Sequence, residues 1–404
     1  MASRASTADL LGVAAIERDG LLVREDGSYV RVLEVEVVNP LVLDSAEAER
    51  VSAAFGQVAA RLPDRQSLQL YVQGTPLALD EVLAEQTHHC EQAAGGAEDI
   101  GEHDRAQAIR RLGIAQEQSL RLHAQTVAPL ELRYLVVCPW QPQRGVFAFG
   151  SKSRRALRVK ADAHERARRD SLRHCEGVRA DLEAMGLGGR VLGGAEVLDL
   201  LHRRFDPDAA SAGGLPASFM APQVVDELIA GETTEAAGER AQALAEAICT
   251  APVSLTDRSR IALGETLEQV FYVSLAPEQT WLGWLLHMMQ APRPFTVSVH
   301  VQATERYRER MAQKRRYKRI HGVNRGVEQR GRPLDPDARV QEEEAAELNA
   351  ELATSAGAGI YRVSIYCALQ EPGGDAETLK ELCQATGREV TMACDARIGH
   401  GLFA

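Results

Sequence analysis

Residues 9–43 read DLLGVAAIERDGLLVREDGSYVRVLEVEVVNPLVL. Two apolar runs, Leu21–Val23 and Tyr29–Val38, flank Arg24-Glu25-Asp26-Gly27-Ser28. Asp-Gly between β-branched and aliphatic residues predicts a β-hairpin. The second run alternates through Val30, Val32, Val35 and Val37, which predicts one buried and one solvated face. A helix follows, with Ser45 as its expected cap, Glu47 and Glu49 in its first turn, and Val51, Phe55, Val58 and Leu62 along one side. Pro63-Asp64 stops it, and Leu68, Leu70 and Val72 alternate as a strand. Hairpin, helix, strand is an α/β beginning.

The order recurs. After Gln73 a helical segment from about Leu79 to Thr126 is interrupted by Gly95-Gly96 and Gly101, so it reads as two helices folded back on each other. Leu132–Cys138 is a strand, and a helix carrying Leu172, Cys175, Val178, Leu182 and Met185 runs to Gly186. From Ile261 the plan restarts. A hairpin covers Ile261–Leu275, a helix Glu278–Met289, and a strand Phe295–Val301. A long helical segment is broken by Gly322, Gly326 and Gly331. Strand Tyr361–Leu369, helix Ala376–Ala385 and strand Glu389–Cys394 follow. Val72 and Val301 are 229 apart, and so are Cys138 and Cys367. The expectation is an α/β (α+β) chain of two similar mixed-sheet units, a duplication with helical-hairpin excursions. The units are residues 1–205 and 261–404, joined by a linker and a polar helix at 206–260. Strands 68–73 and 132–138, like 295–302 and 361–369, are expected side by side and parallel.

Of the 404 residues, 45% are hydrophobic and 25% charged, which fits a globular protein of two or three domains. A net charge of −11 argues against nucleic-acid binding by the whole surface. Seven cysteines occur singly with no C-x-x-C, a reduced, cytoplasmic pattern. The opening MASRASTADLL has no apolar signal core, and Trp281–Met289 falls short of the ~20 residues of a membrane helix.

Catalytic patterns are missing. Gly145-Val-Phe-Ala-Phe-Gly150-Ser151-Lys152-Ser153 approaches a P-loop, but Ser151 displaces the lysine by one residue. Gly186-Leu-Gly188-Gly189 exits a helix toward a strand, the reverse of a dinucleotide fingerprint, and reads as a helix-ending turn. His88-His89-Cys90 and His174-Cys175 lack a second ligand pair, and Cys175 falls on an apolar stripe. No nucleophile elbow or zinc-protease helix is present. The expectation is therefore a chain with no catalytic residue, cofactor or metal of its own.

The most polarised segment is Arg306–Arg332, RYRERMAQKRRYKRIHGVNRGVEQRGR, with eleven Lys/Arg against two Glu. Arg306, Arg308, Arg310, Lys314, Arg315, Arg316, Lys318 and Arg319 are its partner-binding candidates, toward nucleic acid, anionic lipid or an acidic protein. The bland reading is an exposed helical arm whose charges are merely solvated, or pair with the acidic stretch after Asp335. Ile398, Leu402 and Phe403 are a second candidate contact, an apolar patch near the last residues.

The hairpin followed by Asn39-Pro40-Leu41, the Arg61-Leu62-Pro63 helix end, SLQLYVQ, VLDLLHRRFDP (Val197–Pro207) and WLGWLLHMMQAPRPFTVSVHV (Trp281–Val301) together resemble the N-terminal region of TraC-like conjugative-transfer ATPases of bacterial type IV secretion. In that family a RecA-like motor with the P-loop follows this region. The resemblance implies a non-catalytic docking and assembly half, cytoplasmic and peripheral to the inner membrane. Its implied partners are the motor domain, in the same or a separate chain, the inner-membrane secretion components, and other copies of itself. Two alternatives remain open: a nucleic-acid-binding accessory protein of a conjugation cluster, and an α/β enzyme with a dispersed site.

Overall fold

Two strands 229 residues apart meet at the centre of the molecule: β4 (Ser67–Pro76) and β10 (Phe295–Ala303) pair antiparallel, with Leu70 opposite Val299. A computed structural model describes residues 12–36, 44–77, 79–127, 130–141, 161–208, 243–245, 247–249, 252–254, 260–275, 293–331, 333–354, 360–371 and 391–394. The P-loop-like stretch 145–153, the apolar segment 281–289, the helix expected at 376–385, and Ile398, Leu402 and Phe403 lie outside these residues.

From that seam the sheet grows outward in two similar series. On one side come β5 (Leu130–Trp140), β3 (Tyr29–Val35), β2 (Leu22–Arg24) and β1 (Val13–Ile16). On the other come β11 (Tyr361–Glu371), β9 (Thr266–Leu275), β8 (Arg260–Leu263) and β7 (Val253–Ser254). β6 (Gly189–Val191) adds to β3, and β12 (Thr391–Cys394) adds to β9. The register repeats with the order. Gln69 faces Val137 in one half and Ser298 faces Tyr366 in the other, each residue 229 beyond its counterpart. The α+β class and the repeated plan read from the sequence hold.

The parallel pairing does not hold, and neither does the mixed character of the sheet. β4–β5 and β10–β11 are antiparallel, as is every described ladder. The reason lies in the connections. Helices α2 (Leu79–Asp99) and α3 (His103–Val127) form a hairpin that goes out and returns to the same end of the sheet. A single crossover helix would have carried the chain to the other end and made the strands parallel. The break between α2 and α3 is at Gly101, with φ +80°, while Gly95 and Gly96 sit inside α2.

In the first half, helices cover both faces. α1 (Ser45–Arg61) and α4 (Ala161–Ala184) bury Val58, Leu62, Cys175, Val178 and Leu182 against Leu33, Leu68, Val136 and Cys138. α5 (Gly194–Phe205) buries Val197, Leu198 and Leu201 on the opposite face, against Val32, Tyr71 and Leu135. Neighbouring residues such as Leu135 and Val136 thus enter different cores, as the period of two requires. The single wet face expected for β3 is therefore absent, and Tyr29 through Leu33 are all buried. The linker helix read as polar ends in the core, where Leu244, Ile248 and Cys249 pack with α5. The cap of α1 is Asp44, one residue before the expected Ser45. Asp44 Oδ1 accepts from Glu47 N at 2.7 Å, and Glu47 Oε2 accepts from Asp44 N at 3.2 Å.

α4 ends as expected of a helix stop. Gly186 sits at φ +82°, Leu187 N donates to Leu182 O at 3.0 Å and Gly186 N to Glu183 O at 2.9 Å. Among the described residues, no helix is long and apolar enough to cross a membrane.

Candidate docking surface

The basic segment forms α6 (Arg306–Gln329), the counterpart of α2, and the acidic stretch after it forms α7 (Pro336–Thr354), the counterpart of α3. Because β4 and β10 run antiparallel, the two helical hairpins leave the sheet from opposite ends. The base of the second arm is tied down. Thr304 Oγ1 donates to Ile360 O at 2.6 Å, Arg306 donates to Ala60 O, and Arg65 pairs with Glu305. Gly331, at φ +69°, follows the end of α6.

Beyond the base the arm buries very little. Asn324 is the one buried residue of α6 among those described. Its amide donates to Ala338 O at 3.0 Å and to Glu342 Oε2 at 2.6 Å. His321 lies 2.6 Å from Glu342 and stacks on Tyr317. The His321 hydrogen bond, then that of Asn324, holds the Glu342 carboxyl below its usual range. Tyr317, His321 and Asn324 recur at i, i+4 and i+7, so they make the stripe of α6 that faces α7.

By helix phase Arg306 and Arg310 continue that stripe toward the base, while Arg308, Arg315, Arg316, Lys318 and Arg319 fall off it. Arg306 reaches back toward Asp64 at 3.9 Å, and Arg308 pairs with Glu305 at 2.7 Å. Arg310 is exposed. Lys314, Arg315, Arg316, Lys318 and Arg319 are exposed and form no ion pair within the described residues. The first arm shows the contrast. Arg110 joins α3 to Glu91 and Glu98 of α2 at 3.0 and 2.7 Å, and Arg121 reaches Asp80 at 3.0 Å. One hairpin is zipped by arginines. Its counterpart lays a helix with nine Lys or Arg and two Glu beside one with six Asp or Glu and one Arg; His321–Glu342 links the two, while Lys314, Arg315, Arg316, Lys318 and Arg319 join none of those carboxylates among the described residues. A solvated arm and an outside contact both fit the exposure of these five side chains. Tyr307, Met311, Val323 and Val340 add exposed apolar surface.

Other chemistry is confined. Among the described residues, no three His, Cys, Asp or Glu side chains gather as metal ligands. Cys175 is buried in the core, and His88 of α2 contacts Gln92 at 2.9 Å. A cleft of about 660 Å³ beside α4 is lined by Trp140, Ala163, Arg166, Ala167, Asp170, Arg173 and His174. Its one carboxylate, Asp170, already accepts from Arg173 at 3.3 Å. Burial pushes the His174 imidazole down, toward its neutral form.

The sequence reading missed a polar cluster that clamps α4 to the opening hairpin. His164 lies 2.6 Å from Glu17 and 3.2 Å from the Tyr29 hydroxyl. Arg31, 1% exposed, and Arg168 both hold Asp19, at 2.9 and 3.1 Å. Burial pulls the Asp19 carboxyl up, but the two arginines outweigh it and leave the group below its usual range. Glu17 and His164 are 147 residues apart, so no local pattern announces the pair. No protein-family model matches this chain, and no curated protein is similar to it.

Proposed function

We propose that this chain is a docking and assembly component of a TraC-like type IV secretion ATPase, working at the cytoplasmic face of the inner membrane. The observation that carries the reading is the second arm, a long helical hairpin on which Lys314, Arg315, Arg316, Lys318 and Arg319 are exposed and form no ion pair among the described residues. A helix polar on all sides gains little from its own core, so such an arm is best explained by a contact outside the chain. The resemblance of the opening strings and of VLDLLHRRFDP to that family supplies the identity of the assembly. The implied partners are a RecA-like motor domain and the inner-membrane secretion components. The region around Ile398, Leu402 and Phe403 remains the proposed motor contact.

Two measurements test this. Reversing Lys314, Arg315, Arg316, Lys318 and Arg319 to Glu is expected to leave the thermal midpoint within about 2 °C, because these are surface positions outside the core. The same variant, tagged and cross-linked in a conjugating cell, is expected to lose secretion components that the unaltered chain captures. Equal capture by both chains returns the arm to a solvated surface. No enrichment of secretion components by the unaltered chain, relative to an unrelated bait, ends the reading. The second measurement is turnover. The purified chain is expected to release no phosphate from ATP above background. Turnover abolished by Lys152→Ala would overturn that expectation.

A further inference from the structure

The two edges of the second arm carry opposite charge and sit on opposite sides of it. On α6, Tyr317, His321 and Asn324 face α7, and at 100° per residue the other side carries Met311, Arg315, Lys318 and Arg319. On α7, Ala338 and Glu342 face α6, and the far side carries Val340, Glu343, Glu344 and Glu347. Val340, Glu344 and Glu347 follow at i, i+4 and i+7, while Met311, Arg315 and Lys318 follow at i, i+4 and i+7. These are the spacings of helix-on-helix seams. Each stripe opens on an apolar residue, Met311 or Val340, and both of these are exposed. Glu343, Glu344 and Glu347 are exposed and make no ion pair among the described residues.

We propose that the basic edge of the arm docks on the acidic edge of the arm of a second copy of this chain. The complementary partner is already encoded seven residues downstream of α6, in a helix of comparable length with the same spacing. A polyanion such as nucleic acid or an anionic lipid surface fits less well. It would meet the cations of α6 together with the carboxylates of α7 beside them, on a chain of net charge −11. Because the two edges lie on opposite sides of one hairpin, the contact is head-to-tail. One bound copy leaves a free edge at each end, so assembly continues until a ring closes or a filament grows. This rests on the reading of the arm as a contact and names its partner.

The test uses the purified full chain, with no secretion component present, in sedimentation velocity at about 50 mM and about 500 mM salt. The unaltered chain is expected to grow beyond a pair with concentration at low salt, and to revert to monomer at high salt. One variant neutralises the basic edge (Arg315→Gln, Lys318→Gln, Arg319→Gln). A second neutralises the acidic edge (Glu343→Gln, Glu344→Gln, Glu347→Gln). Each is expected to be monomeric alone, and an equimolar mixture is expected to stop at a 1:1 pair, since each copy keeps one live edge. Unchanged helical circular dichroism verifies that both arms are folded. A third variant, with Arg315, Lys318 and Arg319 changed to Glu and the three carboxylates changed to Lys, keeps the hairpin's own charge balance and is expected to assemble like the unaltered chain.

A monomer at about 100 μM and low salt overturns the proposal, as that concentration reaches weak interfaces. So does an oligomer indifferent to both neutralised variants, or a mixture that fails to pair. Binding of the unaltered monomer to duplex DNA or to phosphatidylglycerol vesicles, lost in the first variant, would assign the basic edge to a polyanion instead. Failure here leaves the secretion reading to be judged by the cross-linking capture, which does not depend on self-association.

Discussion

Replacing Glu268 by Gln while Arg204 stays is expected to lower the unfolding free energy by about 3–5 kcal/mol, the usual cost of stranding one member of a buried ion pair. Arg204, on α5 of the first half, donates to Glu268 Oε1, on β9 of the second half, at 2.7 Å. Their side chains are 5% and 4% exposed, so water replaces neither partner. The pair is also incompletely satisfied. Arg204 Nε and Glu268 Oε2 are buried without a hydrogen-bond partner among the described residues. Such a pair gains little over well-packed apolar side chains, and the damage arises when only one charge is left. The double variant Arg204→Met/Glu268→Leu is therefore expected to recover most of the loss. Urea unfolding of the two single variants and the double closes the cycle. A single-variant loss below about 1 kcal/mol, the range of exposed pairs, would show that water reaches the site.

Gly20→Ala is expected to cost about 3 kcal/mol or more, while Gly186→Ala costs about 1 kcal/mol, although both glycines have the same left-handed backbone. Gly20 has φ +81° in the turn between β1 and β2, and Gly186 has φ +82° after α4. Around Gly186 a new Cβ meets nothing within 4 Å, so only the backbone conformation is penalised. At Gly20 it falls 1.8 Å from the Leu192 carbonyl oxygen. That carbonyl has little room to retreat. Leu192 N donates to Val32 O at 2.9 Å, Gly194 N donates to Arg18 O at 3.0 Å, and the Leu192 side chain is fully buried. Relief requires moving β6 off β3 or opening the turn. Denaturant midpoints of the two variants measured side by side decide the point. Equal losses would mean that the close approach carries no energy beyond the conformational one.

The local elements of this protein were legible because their causes are local. Asp26-Gly27 makes the turn between β2 and β3, and Gly27 has the positive φ, +83°, that the dipeptide favours. Leu68, Leu70 and Val72 announce β4 by alternation, and Gly186 ends α4 where the pattern stopped. The offset of 229 residues between Cys138 and Cys367 also survives, because insertions between β4 and β5 and between β10 and β11 have equal length in both halves.

What the chain's linear pattern left open depended on where segments meet. An alternating strand reads the same whether its neighbour is parallel or antiparallel. The direction was settled by α2 and α3 returning as a hairpin, and by α6 and α7 doing the same. The joining of both halves through β4 and β10 rests on pairing across 229 residues, which no local pattern encodes. The burial of Arg204 with Glu268, and of His164 with Glu17, required helices and strands 64 and 147 residues apart to converge. The charge of the arm followed from composition alone. Whether that charge was spent inside the chain was decided by helix phase and packing, which zip the first hairpin with Arg110 and Arg121 and leave Arg315, Arg316, Lys318 and Arg319 of the second exposed.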